Sequence, residues 1–130
     1  MEEKNNLDFD ALIAFIRKEI DGYDYPALVN DRTDLVGVPL AEDVVLADLA
    51  RFRAALVKPY WIDVDRRDTI ADLESETPVV ERCTVVTDDR DGYLLAYEPH
   101  KQEFLLVYRT GDRHVSIGVR GDAVGCYLAI

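Results

Sequence analysis

The stretch that most invites chemistry is Thr87–Glu98, TDDRDGYLLAYE. Numbered as a twelve-residue calcium loop, it places Asp89 third, Asp91 fifth, Gly92 sixth, Leu94 eighth and Glu98 last, an oxygen-rich spacing suited to Ca²⁺. Three departures oppose that reading. Thr87 stands where the first carboxylate belongs, ERCTVV before it is β-branched where a helix is required, and Pro99 obstructs an exiting helix. A hairpin turning at Asp91-Gly92 accounts for the same residues. No bound metal is expected.

Other reactive groups are sparse. His100 and His114 lie in or beside turn-like segments with no second ligand at metal spacing. Cys83 and Cys126 sit in apolar runs, RCTVV and GCYLA, and read as buried thiols rather than ligands or nucleophiles. Ser75 and Ser116 occupy no strand-to-helix elbow, and neither a P-loop nor a dinucleotide fingerprint occurs. Arg120-Gly121-Asp122 spells an adhesion tripeptide but reads as a turn between two strands. No catalytic residue and no cofactor follow from this inventory.

The densest acidic stretch is Asp63, Asp65, Asp68, Asp72, Glu74 and Glu76, beside Tyr60 and Trp61. An aromatic anchor within a charged rim is a protein-binding pattern. The candidate partner-binding residues are therefore Trp61, Asp63, Asp65, Asp68 and Asp72. Two other readings compete: a carboxylate cluster for a divalent ion or acid–base work, and a solvated loop with Trp61 turned into the core. The net charge of −11 favours a basic partner and opposes nucleic acid and anionic membranes, although it also serves solubility.

The elements that must position these residues are readable. A chain of 130 residues fits one α+β domain, 1–130, able to bury its own core. LDFDALIAFIRKEI carries Phe9, Leu12, Ile13, Ile16 and Ile20 at helical spacing, with Asn6 or Asp8 to cap it and Gly22 to end it. Residues 22–39 read as an irregular connection with a short strand around 35–38. LAEDVVLADLARFRAAL gives a second helix with the stripe Val45, Leu49, Phe52 and Leu56, ended by Pro59. YWIDV reads as a strand, and DRRDTIADLESE as one or two helical turns starting near Asp68 or Thr69. VVERCTVV, YLLAYE, EFLLVYR, HVSIGV and AVGCYLA then read as β runs joined by short polar turns. Two N-terminal helices should thus pack on a C-terminal antiparallel meander of about five strands.

The start MEEKNNLDFD is acidic rather than signal-like, and no apolar run reaches membrane length, so the expected compartment is the cytoplasm. In size, acidity and layout the chain is similar to small bacterial immunity and antitoxin-like inhibitors. That likeness covers no motif. It implies a non-enzymatic protein that occludes a basic partner such as a toxin domain. The rival expectation is a small-molecule binder or enzyme with a cone-shaped, cystatin- or NTF2-like pocket between helices and sheet.

Overall fold

In a computed structural model of the chain, residues 7–23, 42–77 and 79–130 are described. Helix α1 spans Phe9–Asp21, its start capped by the Asp8 carboxylate, which accepts from the Ala11 amide. It buries Leu12, Ile16 and Ile20. Gly22 closes it with right-handed rather than left-handed geometry, its amide donating to the Lys18 carbonyl. Helix α2, Glu42–Ala55, buries Val45, Leu49 and Phe52. Leu56, expected on that stripe, instead opens strand β1, Leu56–Asp65. The strand absorbs Pro59 at an irregularity in its pairing with β2, a position where the missing N–H costs little. The strand expected around 35–38 lies outside the described residues.

Helix α3, Ile70–Glu74, follows β1 and starts at Thr69 through a capping box with Asp72. Strands β2 (Val80–Arg90), β3 (Tyr93–Glu98), β4 (Glu103–Thr110) and β5 (Arg113–Gly121) follow, each antiparallel to its predecessor. Asp91 and Gly92 both have positive φ, the geometry of a two-residue hairpin turn. Thr87–Glu98 is therefore two strands and a turn.

The last run, AVGCYLA, departs from expectation. Ala123–Leu128 is helix α4, with the Asp122 carboxylate accepting from the Gly125 amide. Arg120-Gly121-Asp122 is thus a strand-to-helix junction, not a turn between strands.

The N-terminal helices pack on a five-stranded meander whose ends meet. β1 and β5 lie side by side in parallel, Asp65 opposite Val115, and close a barrel. Five alternating strands leave the first and last pointing the same way, so a closing pair must be parallel. Past that point the seam is carried by side chains. The Arg67 amide donates to the Ser116 hydroxyl, and the Asp68 carboxylate accepts from the Ser116 hydroxyl and the Gly118 amide.

Alternation along the strands builds two cores. Val86, Leu95, Phe104 and Leu106 meet α1, α2 and α4 outside the barrel. Ile62, Val64, Cys83, Val85, Leu94, Ala96, Leu105 and Val107 fill its interior. Burial on both faces explains why YLLAYE and EFLLVYR read as continuous apolar runs rather than alternating ones. No helix among the described residues is long and apolar enough to cross a membrane.

Candidate functional site

The acidic stretch occupies the end of β1 and its connection to β2. Ile62 and Val64 point inward, which turns Trp61, Asp63 and Asp65 outward. Trp61 is half-buried, its ring 6.1 Å from that of Phe9 and beneath the Arg82 guanidinium at 5.5 Å. Arg82 also pairs with exposed Asp63 at 3.1 Å. Asp65 pairs with Arg113 at 2.6 Å, and Asp68 with the Arg120 Nε at 2.6 Å. Asp72 receives Arg66 in a forked contact at 3.0–3.2 Å, together with the amides of Asp68 and Thr69. Arg66 is the main reason the Asp72 carboxyl lies below its ordinary range.

The structure thus brings Asp63, Asp65, Asp68 and Asp72 into one region and gives each an arginine of its own chain. Locally those charges cancel. Glu74 and Glu76 remain exposed, with no ion pair among the described residues.

Sequence reasoning missed the group that organises this end of the barrel. Arg120 is only 16% exposed and pairs with Asp68, Glu81 and Glu103, the last at 2.9 Å. Lys101 reaches Glu81 from the other side at 3.1 Å. Burial opposes both charges. The hydrogen bonds Arg120 donates to Glu81, Glu103 and Asp68 outweigh it and hold the guanidinium above its ordinary value. Bonds from Arg120 and Lys101 likewise keep the Glu81 carboxyl below its own. These residues lie 17 to 52 positions from Arg120, so no local motif announces them. Every carboxylate in the group is hydrogen-bonded within the chain.

The remaining candidates are dispersed. Asp89 takes Arg51 and the Tyr127 hydroxyl, whereas Glu98 accepts from the Lys101 amide at the far end of β3. His100 is exposed in a turn. His114 is half-buried opposite Arg109, and burial, then that guanidinium, hold its imidazole below the ordinary value. Among the described residues no group of three or more His, Cys, Asp or Glu side chains could hold a metal ion. The side chains that fill the barrel interior are almost wholly buried.

Both cysteines are free and lie in different cores, Cys83 inside the barrel and Cys126 beneath the helices. Burial pushes each thiol up to about 12. Neither is expected to react with a thiol-specific disulfide reagent at pH 8 on the timescale of minutes, while both should react in denaturant. Rapid labelling of the folded protein would contradict this placement.

A scan against protein-family models and searches of the curated proteins and of the solved structures find no match to this chain.

Proposed function

We propose that this chain is an acidic, non-enzymatic binding protein that occludes a basic protein partner, in the manner of an immunity or antitoxin-type inhibitor of a toxin domain. The contact is made by the end of β1 and its connection to β2, Asp63–Glu76, with Trp61 at its edge. The observation that supports this reading is helix α3. Ile70 is 73% exposed and Leu73 64% exposed, three residues apart and so neighbours on the helix surface.

Five residues do not hold a helix alone. This helix is held by its capping box and by Arg66, and the neighbouring Asp68 is bonded across the barrel seam. Two large apolar side chains are therefore presented in a fixed position. Val79 and Val80 are also exposed, and the Arg66 amide bonds the Val79 carbonyl at 2.8 Å, which draws these segments together. Glu74 and Glu76 supply a rim whose charge is not cancelled. An apolar centre with a charged rim is how protein interfaces are built, and a net charge of −11 steers a cationic partner.

The pairing of Asp68 and Asp72 makes them unsuitable probes, because replacing them breaks the connection itself. The test uses the exposed residues. With a partner captured at low salt and then purified, Ile70→Ser/Leu73→Ser should raise the off-rate by roughly 100-fold with melting unchanged. Glu74→Gln/Glu76→Gln should lower mainly the on-rate, and less so at high salt. Unchanged kinetics in the folded serine variant would move the interface elsewhere. Failure of any purified cationic protein to bind would remove the reading.

A further inference from the structure

A groove of about 1090 Å³ lies between α1 and the first residues of β1, room enough for a small molecule. Its floor is aliphatic. Ile13, Leu56 and Val57 are half-buried along it, and Pro59 is buried. Phe9, whose ring meets that of Trp61 at 6.1 Å, closes one end. At the other end Asp21 is tied to Arg53 of α2. These two contacts set α1 and β1 side by side in opposite directions.

The rim is anomalous in charge. Carboxylates outnumber lysines and arginines 26 to 15 in this chain, so an exposed cation readily meets an acid. Arg17, Lys18 and Lys58 are exposed and have no carboxylate partner among the described residues, and all of them line this groove. Every other described lysine or arginine side chain pairs with a carboxylate except Arg67, which donates to the Asp72 carbonyl. Lys18, in the last turn of α1, complements the helix dipole. Arg17 and Lys58 have no such role. Arg17 shares a helix face with Phe9 and Ile13. Lys58 precedes Trp61 on β1, about 10 Å back from the Phe9 end and so towards Arg17. The acids of the groove do not answer these cations. Asp8 caps the helix, Asp21 is held by Arg53, and Asp10 lies about 10 Å along the axis from Arg17.

We infer that this groove binds an organic carboxylate with an aliphatic tail. The carboxylate lies between Arg17 and Lys58, and the tail runs along Ile13, Leu56 and Val57 towards Phe9. Uncompensated cations beside an apolar floor are complementary to such an anion. The groove shares no residue with α3, so the assignment is independent of the interface proposed above.

The test is an NMR titration of the ¹⁵N-labelled protein at neutral pH with octanoate, octan-1-ol and octylammonium. Octanoate should shift the amides of Ile13, Arg17, Val57 and Lys58. Its affinity read there should exceed that of octylammonium by roughly tenfold, with the alcohol between them. A surface of net charge −11 otherwise favours the ammonium, so this order is specific to the groove. Butanoate keeps the carboxylate, loses half the tail and should bind at least about tenfold more weakly than octanoate. Arg17→Gln/Lys58→Gln should erase the preference for carboxylate over ammonium. Arg51→Gln/Arg109→Gln removes the same charge elsewhere and should leave that preference intact. Octylammonium bound at these amides as tightly as octanoate, or octanoate shifts confined to other parts of the protein, would overturn the assignment. So would a folded Arg17→Gln/Lys58→Gln protein that still prefers the carboxylate.

Discussion

Arg120→Met should destabilise the protein by about 3–5 kcal/mol at pH 7, and the loss should shrink as pH falls. Arg120 is the counter-charge for Asp68, Glu81 and Glu103 at the mouth of the barrel, and Glu81 is itself buried. Methionine fills much of the same volume but leaves those carboxylates facing one another, with Lys101 still paired to Glu81 and Arg66 still attracting Glu81 and Asp68. The sign follows from Glu81. In the native protein its carboxyl lies below the ordinary value, so it contributes stability above the unfolded value of about 4.3, lost as pH falls through the lower folded value. Without Arg120, burial dominates and raises that carboxyl, so the variant's penalty is largest at neutral pH and relieved on protonation. Urea denaturation from pH 4 to 8 measures both parts. A Glu81→Gln change added to Arg120→Met should recover part of the stability at pH 7. A loss below about 1 kcal/mol, independent of pH, would mean that the cluster is no more than a surface network.

The second large effect is expected at Phe52→Ala, at about 3–5 kcal/mol. Phe52 is fully buried and lies flat on Tyr127, with centroids 4.3 Å apart and an angle of 6° between the rings. The contact joins α2 to α4, two elements far apart in sequence. Removing the ring opens a cavity between them and withdraws the surface that holds Tyr127, whose hydroxyl donates to Asp89 on β2. Phe52→Leu retains most of the volume and should cost less than about 2 kcal/mol. Chemical denaturation of the two variants, with near-ultraviolet circular dichroism following Tyr127, separates packing loss from unfolding. Equal stability of the alanine and leucine variants would show that the core closes around the gap.

Helix α1 was legible because thirteen residues carry several turns of one apolar stripe and bring their own cap at Asp8. The β2–β3 hairpin was legible because Asp91-Gly92 demands a turn that few other residue pairs accept. Helix α3 was legible only as one or two turns starting near Asp68 or Thr69; the capping box between Thr69 and Asp72 came from the structure. Helix α4 was not. Ala123, Val124, Cys126 and Tyr127 are all buried, and six residues are too few to separate a helical period from an alternating one. What makes that segment a helix is the Asp122 cap together with the surface offered by Phe52, Phe104 and α1.

The acidic stretch divides in the same way. Composition and local spacing determined that carboxylates, an aromatic ring and a short helix gather between Tyr60 and Glu76, because those are properties of neighbouring residues. Only the tertiary structure decided that Asp63, Asp65 and Asp68 meet Arg82, Arg113 and Arg120, lying 19, 48 and 52 positions away. It likewise decided that Ile70 and Leu73 are left bare while Trp61 is covered by Phe9 and Arg82. Charge and polarity are written residue by residue, but a charge is neutralised, and an apolar side chain covered, only by what the closing of β5 onto β1 brings alongside it.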